Sequence, residues 1–201
     1  KFIRNISSQM EPTLNTLGTS AKELSAQAPR YAEQMQAQVA ALKQFSDNIQ
    51  ELSSLENSLT EPYEMGEVNA GTFCESVMEK AKEFMKPDVT PSVNAPKLQV
   101  KTNKEQLERI LLYLLKNAAF YTEQGRISLD FKKRGAHTHQ FIITDTGTGI
   151  PAEQQENLFK PFTQVKDLTT GDGLGLPICS LIATKMNGSL TLDKSYTKGC
   201  R

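Results

Sequence analysis

The sequence is short of several things, and each shortage removes a class of function. Its three cysteines, Cys74, Cys179 and Cys200, are odd in number and far apart. With no Cys-x-x-Cys pair and no Cys/His cluster, zinc is not expected, and reduced buried thiols in a reducing compartment are. Lys plus Arg and Asp plus Glu both number 23, so the chain carries no formal net charge. It therefore offers nucleic acid or a membrane surface no bulk electrostatic attraction. No apolar run approaches the ~18–20 residues of a membrane span, and the opening residues do not read as a secretory signal. Lys1 begins the sequence without a Met, in what reads as mid-helix, so these residues are expected to belong to something longer. The only histidines, His137 and His139, read as exposed residues of a hairpin turn in the second domain.

Glycine is nearly absent from residues 1–60, which contain Gly18 alone. Ile3, Met10, Leu17 and Leu24 repeat every seven residues there, and Leu42, Phe45, Ile49 and Leu52 alternate by threes and fours, with Leu59 seven residues further on. Each pattern draws a narrow apolar stripe along a helix. Gln27-Ala28-Pro29-Arg30 supplies a break between them. Two helices cannot enclose a core alone, so a second copy is expected to complete a four-helix bundle through residues 1–60. Thr13, Ser20, Gln27 and Gln38 fall at seam positions and soften it, and Pro12 removes a backbone hydrogen bond from the first helix.

Glu61-Pro62 is expected to end the second helix, giving a helical-hairpin domain over 1–62 and a second domain over 63–201. The second reads as a helix over 73–86, extended pieces near 87–96 and 98–101, and an apolar helix capped by Asn103 with Gln106. Strands follow at Arg126–Lys132 and Gln140–Asp145, then an irregular stretch over 146–173. A helix over 174–186 and a strand over 189–193 come last. A further strand is expected to begin where the sequence stops, at Arg201. The fold class is α+β.

Three short motifs in the second domain carry chemistry. Lys116-Asn117-Ala118-Ala119-Phe120-Tyr121-Thr122 puts a carboxamide at the end of an apolar helix, and a carboxamide oxygen is a hard ligand suited to Mg²⁺. Asp145-Thr146-Gly147-Thr148-Gly149-Ile150-Pro151 follows a strand; its Asp can accept from an exocyclic amine, and its glycines admit close backbone approach. Gly171-Asp172-Gly173-Leu174-Gly175-Leu176 opens a helix, leaving N–H groups for phosphate oxygens. It is neither a Walker A loop, lacking Gly-Lys-Ser/Thr, nor a dinucleotide fingerprint, lacking a βαβ unit. Alone, each has a bland reading as a helix-terminal Asn, a turn or a loop. Their order is more specific: Asp145 lies 28 residues after Asn117, and Gly173 lies 28 after Asp145. Leu158-Phe159-Lys160-Pro161-Phe162 sits between the last two.

This ordered set resembles the N, G1, F and G2 boxes of the sensor histidine kinases of two-component systems, over roughly residues 60–201. The resemblance implies an α/β sandwich of the Bergerat-type ATPase fold behind a dimerisation hairpin, with ATP and Mg as cofactors. It implies that Asn117 holds the metal and that Asp145 reads the adenine amino group. Tyr121, Gly147, Gly149 and Ile150 would line the base pocket. Gly171, Gly173, Leu174 and Gly175 would meet the phosphates. Residues 151–172 would form a lid anchored by Phe159 and Phe162, for which ordinary core packing is the alternative. Gyrase-type relatives place a Glu four residues before the motif Asn; here Tyr113 stands there, which disfavours a hydrolytic ATPase, and the preceding helical hairpin favours the kinase branch. The family's activity would be phosphoryl transfer to a histidine and then to a response-regulator receiver domain. No nucleic-acid partner and no membrane contact by these residues are expected. The location implied is cytoplasmic, with any anchor in the inner membrane supplied by a longer parent.

The resemblance also has gaps. The phosphoacceptor segment of the family, Phe-x-x-x-Ile-Ser-His-Glu-x-Arg-Thr-Pro-Leu, here reads Phe2-Ile3-Arg4-Asn5-Ile6-Ser7-Ser8-Gln9-Met10-Glu11-Pro12-Thr13-Leu14. Ser8 replaces the imidazole nucleophile, and Gln9 cannot act as its base. Tyr113 and Phe120 replace an Asn and a phosphate-binding cation. The alternative expectation is therefore a nucleotide-binding pseudokinase or dimeric signalling scaffold. A purely structural coiled coil would explain residues 1–60 but not the ordered boxes.

Overall fold

The computed structural model describes residues 2–23, 29–135, 138–162 and 173–201, the side chains of residues 2–9 and 30 excepted. It divides into two compact units, Lys1–Thr60 with Asn157–Leu181, and Glu61–Glu156 with Ile182–Arg201.

In the first unit, helices α1 (Phe2–Glu23) and α2 (Pro29–Asn57) form the expected hairpin. Pro29 opens α2, a position whose missing N–H and fixed φ suit a helix start; the rest of the expected break includes 24–28, outside the described residues. Helix α2 ends four residues before Glu61. Leu14 and Ala21 of α1 are buried, as are Ala32, Ser46, Leu52 and Leu55 of α2. Of the expected α1 stripe, Met10 is half-buried and Leu17 is exposed in the single chain, while Ile3 and Leu24 lie outside the described side chains. Met10/Leu17 and Leu14/Ala21 are the two seam positions of one heptad, and a lone hairpin encloses only one of those lines.

The second unit runs β1 (Gly66–Asn69), α3 (Ala70–Ala81), a 3-10 turn (Lys82–Phe84), β2 (Val89–Asn94), β3 (Gln99–Thr102), α4 (Lys104–Tyr121), β4 (Gly125–Lys133), β5 (His139–Asp145) and α5 (Ala152–Gln155). The last helix, α6 (Gly175–Lys185), has its closing residues here. β1 pairs antiparallel with β3, and a second sheet has the order β2-β4-β5, parallel then antiparallel. The core lies between that sheet and two helices: Phe73, Val77 and Met78 of α3, Leu107, Leu111 and Leu115 of α4, and Ile127, Leu129 and Phe131 of β4. The fold is the α/β sandwich the boxes implied.

Helix α4, which carries Asn117, starts where its cap predicted. Asn103 Oδ1 accepts the Gln106 N–H at 2.9 Å, and Asn103 Nδ2 donates to the Glu64 carbonyl at 2.8 Å. The reciprocal half of the capping pair is not made: Gln106 Oε1 is buried without a partner among the described residues. β1 was not foreseen, since its four residues hold one apolar side chain. The strand expected at 189–193 does not form. A strand requires a continuous ladder, whereas this segment makes an isolated bond, Asp193 N–H to Arg201 C=O at 2.8 Å. His139 belongs to β5 rather than a turn and stacks on Phe131; His137 lies outside the described residues.

Candidate functional site

The second unit gathers one group of box residues where α4 ends and β5 ends. Asn117 is half-buried one turn before Tyr121, so both project from one side of the helix. Its carboxamide has no hydrogen-bond partner among the described residues. Tyr121 is exposed and meets the exposed Phe120 edge-on, ring centroids 5.0 Å apart. Thr122, the C-cap residue, is fully buried, and its Oγ1 has no partner among the described residues.

The loop after β5 closes on that helix end. The Thr148 N–H donates to the Tyr121 carbonyl at 3.2 Å. A Cβ on Gly147 would lie 2.4 Å from that carbonyl oxygen and 2.8 Å from Thr122 Oγ1, so only glycine fits. Thr146 ties the loop to β4: its N–H donates to the Arg126 carbonyl at 3.1 Å, and its Oγ1 accepts the Arg126 N–H at 3.0 Å. Gly149 has φ +70°, a conformation few other residues adopt. The half-buried Ile150 presents its carbonyl to Gln155 Nε2 at 2.8 Å.

Asp145 is 6% exposed. Its Oδ1 accepts two backbone N–H groups, from Gly147 at 2.9 Å and Cys200 at 3.0 Å. Its Oδ2 has no donor among the described residues. Burial pushes the carboxyl above the usual aspartate range, and the two N–H bonds work in the opposite direction. The result is a desolvated acceptor with one oxygen held and one open.

The first unit holds the other box residues. Phe162 is exposed, has φ +64° and meets Phe45 of α2 edge-on at 6.3 Å. Phe159 is half-buried, and the buried residue of its turn is Leu158. Gly173 has φ +68°, Leu174 is fully buried, and Gly175 opens α6, whose first-turn N–H groups lack intrahelical acceptors. Gly171, lid residues 163–172 and the side chains of Ser8 and Gln9 lie outside the described residues. Sequence reasoning overlooked Thr122, Thr146, Gly199 and Cys200. Gly199 stood in a segment read as approaching a strand, and Cys200 read as a core thiol.

The family described as histidine kinase-, DNA gyrase B-, and HSP90-like ATPase matches residues 102–201. This stretch contains Asn117, Asp145 and the glycines of residues 171–175. Residues 102–201 belong to this ATPase family, and the curated relatives that the chain resembles are sensor histidine kinases. The chain is 24% identical over 212 aligned positions to the aerobic respiration control sensor protein ArcB of Escherichia coli, covering 98% of this chain and 27% of that protein. Sensor histidine kinase RppB of Synechocystis is 35% identical over 119 positions, 56% of this chain and 26% of the relative. The chain thus spans about a quarter of the length of these sensor kinases. Among solved structures, full-length ShkA in complex with AMPPNP superposes with a TM-score of 0.78 at 21% identity, over 98% of this chain and 43% of that one. The catalytic domain of histidine kinase ThkA gives 0.57 at 26% identity, over 69% of this chain and 91% of that one. No described helix is long and apolar enough to cross a membrane. Among the described residues no group of three or more His, Cys, Asp or Glu could hold a metal.

Proposed function

We propose that this chain binds ATP as the catalytic module of a dimeric two-component kinase, with the base held in the second unit. The observation that carries the reading is Asp145: a buried carboxylate with Oδ1 fixed by two N–H groups and Oδ2 open suits the exocyclic amine of adenine. Gly147, Gly149 and Ile150 would shape the base pocket, with Tyr121 at its edge. Asn117 fits a Mg²⁺ ligand, because its half-buried carboxamide is uncommitted among the described residues and Mg²⁺ takes few protein oxygens beside phosphate and water. When bound, the metal would neutralise phosphate charge. Gly171, Gly173, Leu174 and Gly175 would meet the phosphates, and Phe159 and Phe162 would anchor the lid. Domain limits of 1–62 and 63–201, dimerisation through residues 1–60, a response-regulator receiver domain as partner and a cytoplasmic location complete the proposal.

A second reading is favoured by specific residues. Ser8 and Gln9 supply neither imidazole nor base, and Phe120 supplies no cation for phosphate. The chain would then bind nucleotide as a pseudokinase and signal through its dimer. Incubation with labelled ATP and Mg²⁺ separates the two: acid-labile, base-stable label on the chain supports the kinase reading, and its absence alongside calorimetric ATP binding supports the pseudokinase. Absence of ATP and ADP binding would reject both.

A further inference from the structure

We infer that Gly199–Cys200 is a positioning element for Asp145, setting which carboxylate oxygen faces a ligand; the ligand's identity rests on the nucleotide reading above. Asp145 and Cys200 are 55 residues apart in sequence and joined twice. The Asp145 N–H donates to the Cys200 carbonyl at 2.9 Å, as in the first rung of a strand pair. The returning Cys200 N–H goes to the side chain instead, to Asp145 Oδ1 at 3.0 Å. A backbone donor that would extend a ladder is thereby spent on the carboxylate. Together with the Gly147 N–H at 2.9 Å it occupies Oδ1 from two sides and leaves Oδ2 as the accepting atom.

Glycine at 199 makes this possible. Its φ is +144°, and a Cβ would lie 2.1 Å from the Asp145 carbonyl oxygen and 2.8 Å from Asp145 Oδ1. A Cβ on Gly149 would in turn stand 3.1 Å from the Gly199 carbonyl. Gly147 and Gly199 therefore converge on one carboxylate, from the loop after β5 and from the segment after α6, with Gly149 packed behind Gly199. The Cys200 thiol, pushed up to about 11 by burial and then by the Asp145 charge, stays neutral beside it.

The test follows the Asp145 carboxyl by ¹³C NMR and the Cys200 amide proton across a pH titration of the nucleotide-free protein, then repeats it for Cys200→Pro and Gly199→Ala. ADP affinity is measured by calorimetry over the same pH range. In the parent, the Cys200 amide shift should titrate with the same midpoint as the Asp145 carboxyl. Cys200→Pro removes a donor from a carboxyl that stays buried, so its midpoint should rise and ADP should bind about tenfold or more weakly. General loosening would instead lower the midpoint toward the free-aspartate value of about 3.9. Gly199→Ala should behave like Cys200→Pro. A Cys200 amide that does not respond to Asp145, or variants whose midpoint is unchanged or lowered, would overturn the inference, and the parent's amide titration decides even where neither variant folds. A parent that binds no ADP yet shows the coupled titration would reject the nucleotide reading and keep the clamp.

Discussion

Gly147 lies against the carbonyl of Tyr121, so closely that a Cβ would stand 2.4 Å from that oxygen. The clash is with backbone, which cannot swing aside as a flexible side chain would. Gly147→Ala should therefore push the loop after β5 away from the end of α4. Overpacking of this kind costs about 1–3 kcal/mol, and the displaced loop carries the Gly147 N–H that holds Asp145 Oδ1. Urea unfolding should show a lower midpoint at unchanged slope, and ADP binding should weaken. A midpoint equal to the parent's would mean that the loop does not need this contact.

Asp145→Asn should separate folding from binding. A carboxamide oxygen can still accept the Gly147 and Cys200 N–H groups, but its amino group then faces the ligand as a donor where an adenine amine needs an acceptor. ADP affinity should fall on the order of tenfold to a hundredfold, with thermal stability near neutral pH equal or higher. The sign follows from burial. The folded carboxyl binds its proton more tightly than the unfolded one, so its contribution to stability is full at low pH and is lost as pH rises through the raised folded value. ADP binding runs the other way, weakening as pH falls through that value. Asparagine should abolish both dependences; persistence of either in the variant would assign it to another group.

The buried Thr122 hydroxyl has no partner among the described residues, and an unsatisfied buried polar group is destabilising. Thr122→Val keeps the shape and removes the oxygen, so unfolding free energy should rise by about 1 kcal/mol. A loss of that size instead would show that the hydroxyl is satisfied by bound water or ligand.

The elements most legible in the sequence are those with strong local signals. Asn103 three residues before Gln106 marked the start of α4, and the alternation of Arg126–Lys132 and Gln140–Asp145 marked β4 and β5. β1 gave no such signal, because Val68 is its one apolar residue and its pairing with β3 is long-range. The 189–193 strand failed for the converse reason: alternation was present, but no neighbour supplied a ladder. Within the site, order and spacing pointed to Asp145 and Gly147, because those residues carry recognisable chemistry. The role of Cys200 was not legible, because it acts through a backbone N–H that every residue except proline possesses.

The hairpin should assemble as a symmetric pair through residues 1–60. In the single chain Leu14, Ala21, Leu52 and Leu55 are enclosed, while Leu17 is 41% exposed and Leu42, Phe45 and Ile49 are only half-buried. That leaves one apolar line of each heptad for a second hairpin, and a two-fold axis would cover it with the same surface from both copies. Gln38, seven residues before Phe45, is exposed at a seam position of α2 and weakens the seam, so the pair should dissociate on dilution. Ile49→Asp would bury a carboxylate in that seam and should weaken association on the order of a hundredfold or more, with circular dichroism confirming that the helices persist. Sedimentation equilibrium over a wide concentration range reads both effects. A parent that stays monomeric at its highest concentration, unaltered by Ile49→Asp, would leave α1 and α2 as a hairpin without a mate.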